Sequence, residues 1–157
     1  MIKIVPIVRD FRPDMSDAER LMYAYRCLVF SVIPIFYASW KVGYVRLENL
    51  DTVGGHPTAP IPPSMETFKV YQRILQNTVE QTIMHVIAVL ALVSILEVDQ
   101  LWNIPLLVFL FVVGRAAFFI GYVMNPLCRP FGFGLTVMPT ICSLAYCFVA
   151  ITLQALE

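Results

Sequence analysis

Apolar residues gather in three long runs, Leu21 to Trp40, Ile104 to Met124 and Phe133 to Leu153. Each meets the roughly 20 mostly apolar residues that one helical crossing of a bilayer needs. A fourth run, Ile83 to Leu96, is too short by itself. It spans only when the polar stretch before it, "QRILQNTVEQ" from Gln72 to Gln81, is wound into the same helix. The pattern predicts four helices, over about 21–44, 65–96, 104–125 and 132–155. None of the runs alternates with period two as a membrane barrel must, and lipid offers no water to the groups of an open sheet edge. The fold expected is an all-α membrane protein, a four-transmembrane-helix bundle occupying 21–157 behind an amphipathic juxtamembrane segment over 1–20.

Polar punctuation fits this division. Ser16 is a candidate N-cap with Asp17 and Glu19 in the first turn, and Ser64 a candidate N-cap for the second helix with Glu66 following. "VRLENLDTVGGHPTAPIPPSMET", rich in proline and glycine, reads as the loop between the first two helices, and "EVDQLWN" as a short turn before the third. "NPLCRPFGFG" reads as a tight corner before the fourth. Pro34 and Pro139 fall inside helices, where kinks are expected. The second helix, if continuous from Met65 to Leu96, is roughly 48 Å long, well beyond a hydrocarbon core of about 30 Å, so its polar start projects toward one face.

Composition agrees: 59% of the 157 residues are hydrophobic and 14% charged, far from a soluble balance. Eleven basic and eleven acidic residues cancel, and no basic run points to nucleic acid. The partner expected is the lipid bilayer. Residues 1–20 mix four basic with four acidic residues and lack the apolar core of a cleaved signal peptide. Four cysteines without a CxxC pair suggest neither a disulfide frame nor a zinc site. Basic residues near the first and third loops slightly favour those loops on the cytosolic side.

The chemistry lies in the polar half of the second helix. At about 100° per residue, with Arg73 at zero, Asn77 falls near 40°, Glu80 near 340° and Gln76 near 300°. Arg73, Asn77 and Glu80 therefore share a stripe, with Gln76 on its flank. In the third helix Arg115, Phe118, Phe119 and Tyr122 recur at i, i+3, i+4, i+7. Ionisable groups inside a membrane almost always face a bundle interior or a wet cavity and pair there. The structural reading is that Glu80 pairs with Arg73 or Arg115, with Asn77 bridging, and fixes helix register. The functional reading is an anion site, since guanidinium forks bind carboxylates bidentately. His85 is expected to be a hydrogen-bonded core histidine, Arg26 a snorkelling anchor, Cys128 an inert boundary thiol, and Gly114, Ala117 and Gly121 packing positions.

Arg73-x-x-x-Asn77-x-x-Glu80 at the head of a second membrane helix resembles the signature of the membrane-associated proteins in eicosanoid and glutathione metabolism, the MAPEG family. Arg115, Tyr122 seven residues on in "FFIGY", and Arg129 seven beyond are similar to a second family run. The resemblance implies homotrimers of four-helix subunits, with glutathione in clefts between neighbouring subunits. It places Arg73, Asn77, Glu80, Gln76 and Arg115 as glutathione-binding residues. In an enzyme, Arg129 with Tyr122 would stabilise the thiolate, acting on a lipophilic electrophile as a glutathione-dependent transferase or peroxidase. Within the family, "YQRILQNTVEQ" and "CRPFGFGLTVMP" look closest to a branch not established as enzymes, tied to secretory and endolysosomal membranes and to receptor regulation. That branch implies a polar cleft that is structural or takes a lipid or small anion. Phe118 departs from the active enzymes, standing where leukotriene synthase has a tyrosine. No residue is assigned to their helix-one arginine, Lys41 and Arg46 being nearest.

Overall fold

A computed structural model describes residues 14–55, 60–124 and 129–156. The described chain is all-helical, with four spans long and apolar enough to cross a membrane: Asp17–Glu48, Pro63–Ile95, Val98–Met124 and Arg129–Gln154. The juxtamembrane segment expected over 1–20 lies largely outside the described residues.

The first span opens with α1, Asp17–Leu28, on a capping box. The Ser16 hydroxyl accepts from the Glu19 amide, and the Ser16 amide donates to Glu19 Oε2 at 3.1 Å, satisfying two groups that a helix start otherwise orphans. The chain then tightens into a 3₁₀ turn over Val29–Val32 before α2, Ile33–Glu48. Pro34 sits in the first turn of α2, where its missing N–H and fixed φ do least harm. The helix is thus interrupted just ahead of the proline. α2 runs past 44 into the segment read as loop, because Val42, Val53 and Phe68 bury together and hold its end. The Asn49 side chain donates from Nδ2 to the Val45 carbonyl at 2.8 Å, and Leu50–Gly54 forms a further helical turn.

α3, Glu66–Ile95, is one continuous helix from the polar stretch through the apolar run. Ser64 does not cap it. Pro63–Met65 form a 3₁₀ turn, Met65 occupies the cap position, and no side chain there accepts a bond. The Thr78 and Thr82 hydroxyls donate to the Ile74 and Thr78 carbonyls at 2.7 and 2.8 Å, so each buried O–H is satisfied by its own helix.

α4, Asn103–Met124, and α5, Arg129–Gln154, pack closely. α5 begins earlier than the expected 132, so "RPFGFG" is helix and not corner. Pro130 suits the opening of a helix, and Gly132 is buried where α5 meets α4. A Cβ on Gly132 would stand 2.2 Å from the Phe118 amide nitrogen, and one on Gly114 2.7 Å from Thr136 Cγ2. Glycine at both places lets the backbones approach, the usual device where helices associate without a hydrophobic drive. α5 continues through Pro139. Two further buried clusters tie the bundle: Leu28, Val93, Ile104 and Cys147 in one, Ala38, Ile74 and Phe118 in the other.

Candidate functional site

The second of these clusters adjoins the polar residues through Phe118. Arg115, halfway along α4, is 2% exposed. Its Nη1 donates to Asn77 Oδ1 at 3.1 Å and its Nη2 to the Thr78 hydroxyl at 2.7 Å. The Phe118 ring covers the guanidinium, 4.1 Å from the carbon to the ring centroid. A charge at this depth is costly unless its donors are occupied. Both Nη groups meet acceptors on α3, while Nε is buried without one among the described residues.

Beside this network Arg73, Asn77, Phe118, Tyr122, Arg129 and Phe133 line an open cleft of about 410 Å³. The Arg129 guanidinium stands 5.1 Å from the Tyr122 ring centroid, and that ring meets Phe118 edge-on at 5.4 Å. Two guanidinium groups, one amide and one phenol therefore border the same space, and among the described residues no carboxylate lines it. Such a donor-rich, cationic recess is suited to an anion, above all a carboxylate.

Four of the seven residues singled out from the sequence, Arg73, Asn77, Tyr122 and Arg129, share the cleft. Arg115 stands behind it and reaches its wall through Asn77 and the Phe118 ring. Glu80 and Gln76 do not line it: both are exposed, and Gln76 Nε2 donates to Glu80 Oε1 at 3.2 Å. The expected ion pair of Glu80 with Arg73 or Arg115 does not form among the described residues. Gln76, one turn before Glu80, supplies a local donor, and Arg115 is occupied by neutral oxygens instead.

Thr78 escaped the sequence reading although it is the shorter of Arg115's two bonds. On the wheel it lies about 140° from Arg73, off the polar stripe. A threonine buried with Thr82 one turn on was the available signal. Phe133 was missed because "GFG" read as a corner. His85 is buried, as expected, and stacked on Phe111, with centroids 4.2 Å apart, but its Nε2 has no hydrogen-bond partner among the described residues. Cys128 lies outside the described residues.

Comparison with known proteins agrees with this architecture. Two relatives are Transmembrane protein 79, or mattrin, of Bos taurus and of Mus musculus. The first is 26% identical over 136 residues, covering 87% of this chain and 32% of its own length. The second is 26% identical over 134 residues, covering 85% and 32%. The chain thus spans about a third of the length of these curated relatives. No solved structure matches significantly. Residues 25–149, from within α1 almost to the end of α5, match the MAPEG family, and the chain belongs to that family.

Proposed function

We propose that this chain is a mattrin-like, non-catalytic MAPEG protein whose cleft binds a small carboxylate-bearing anion, glutathione being the first candidate. One observation carries the reading: the cleft offers Arg73 and Arg129 beside Asn77 and Tyr122, with no carboxylate among the described residues that line it. Phe118 takes a wall position and brings no hydroxyl. Binding is thereby favoured over chemistry.

A homotrimer belongs to this proposal. Arg73, Gln76, Glu80, Ile83 and Ile87 are exposed on α3 at alternating spacings of three and four, the pattern of a coiled-coil seam. Glu80 lies about 22 Å along the helix from Ile95, inside a hydrocarbon core of about 30 Å. A carboxylate left facing acyl chains there is expensive, and a neighbouring copy of α3 relieves that cost. Residence in secretory or endolysosomal membranes, with a role in membrane traffic or receptor regulation, is proposed from the relationship to mattrin.

The test is glutathione binding to the purified protein in detergent by calorimetry, followed by assay against a generic electrophile. Binding without turnover is expected; no binding at millimolar glutathione would sink the anion site. A second reading, a glutathione-dependent transferase or peroxidase, is favoured by the Arg129–Tyr122 stack. There Arg129 would stabilise the thiolate at the cleft's edge, lowering its pKa and raising the nucleophile's population. Turnover that disappears in Arg129→Ala would select it.

A further inference from the structure

A second recess, sharing no lining residue with the polar cleft, lies between the first and third spans. Its volume is about 280 Å³. Pro34 and Ala38 of α2 face Val112 and Ala116 of α4 across it, with Tyr37 and Phe119 at its side and Arg115 and Thr78 behind. The two Nη groups of that arginine are occupied by Asn77 and Thr78, so the space left is mostly hydrocarbon-like.

Ile33 and Tyr37 also border a shallower apolar groove along the first span, with Phe36 and Trp40. The two spaces therefore adjoin, with Ile33 and Tyr37 as their common wall. The Lys41 ammonium lies 5.1 Å from the Trp40 ring centroid and 5.7 Å from that of Tyr37. Among the described residues Lys41 forms no ion pair. Exposed Trp40 and Tyr44 on the same helix are the aromatic residues that settle at a membrane–water interface. From Lys41 to Ile33 is about 12 Å along the helix, so the groove runs inward from that interface.

We propose that this recess binds one membrane phospholipid with an anionic head: the phosphate at Lys41, between the Trp40 and Tyr37 rings, and an acyl chain laid past Tyr37 into the space between α2 and α4. Charge complementarity selects the head. The small side chains Ala38 and Ala116 make room for the tail. The site is separate from the polar cleft, and the proposal stands whether or not glutathione binds there.

Native mass spectrometry of the purified protein with phosphatidylglycerol or phosphatidylcholine of matched chains tests it. The wild type is expected to retain the anionic lipid preferentially. Lys41→Gln should reduce that preference about fivefold, the worth of one basic residue near an anionic head, and Lys41→Arg should keep it. Ala116→Trp, a substitution at an exposed position that fills the recess, should lose both lipids while glutathione binding is unchanged from wild type. Equal retention of the two lipids by the wild type, or undiminished retention in Ala116→Trp, would overturn the proposal. So would a change in oligomeric state with Ala116→Trp in place of a loss of lipid, since the recess would then be a contact between copies.

Discussion

Arg115 donates to the Thr78 hydroxyl at 2.7 Å, joining α4 to α3 across 37 positions of sequence. The bond settles where a mid-membrane charge goes. The Thr78 hydroxyl donates its own hydrogen bond to the Ile74 carbonyl and keeps its oxygen lone pairs free to accept. Thr78→Val removes the acceptor and leaves a buried guanidinium donor unmet. The expected loss is about 1–2 kcal/mol, at the upper end for interhelical hydrogen bonds in membranes. Arg115→Met, which keeps an unbranched chain against Phe118, should cost less than Arg115→Ala, which opens a cavity as well. Reversible unfolding in mixed micelles measures all three, and equal stability of Thr78→Val and wild type would remove the bond from the account.

Gly132 and Gly134 lie two residues apart in α5 and should respond oppositely. A Cβ at Gly132 meets the Phe118 backbone, whereas one at Gly134 meets nothing within 4 Å. Gly132→Ala is expected to force α4 and α5 apart and destabilise by at least about 1–3 kcal/mol. Gly134→Ala should be neutral or stabilising by up to about 1 kcal/mol through helix propensity alone. Thermal unfolding in detergent compares them directly.

The polar cleft makes its own demand on mutants. Arg73→Gln and Arg129→Gln should each weaken glutathione binding about tenfold or more, the worth of one charge-assisted hydrogen bond of about 1.5–3 kcal/mol. Both side chains line the cleft at exposed positions, so the fold should survive. Calorimetry is the measurement; unchanged affinity in both variants would show that glutathione binds elsewhere.

Phe118→Tyr probes the departure from the active enzymes. The ring lies against Arg115 and meets Tyr122 edge-on while lining the cleft, so a para hydroxyl would sit among donors around the anion. One added hydrogen bond of about 0.5–1.5 kcal/mol should tighten glutathione binding by about two- to tenfold. The same assay decides, and weaker binding would mean that the hydroxyl blocks the cleft.

Much of this molecule is local in origin. The four spans and the winding of "QRILQNTVEQ" into the second helix follow from apolar run length and from the need to satisfy every backbone group inside lipid, and the N-cap at Ser16 from a short polar side chain ahead of an acidic first turn. The 3.6-residue period likewise brings Arg73 and Asn77 onto one stripe, and Arg115, Phe118 and Tyr122 onto another. Tertiary structure alone decided which group each stripe meets. A helical wheel assigns an azimuth but not the element across from it. It therefore does not reveal that Arg115 takes Thr78 and Asn77 in place of Glu80, or that Glu80 turns outward to Gln76. The start of α5 was hidden for the same reason. "RPFGFG" has the residues of a turn, yet Gly132 is helical, and an α-carbon without a side chain is what the Phe118 backbone opposite it tolerates.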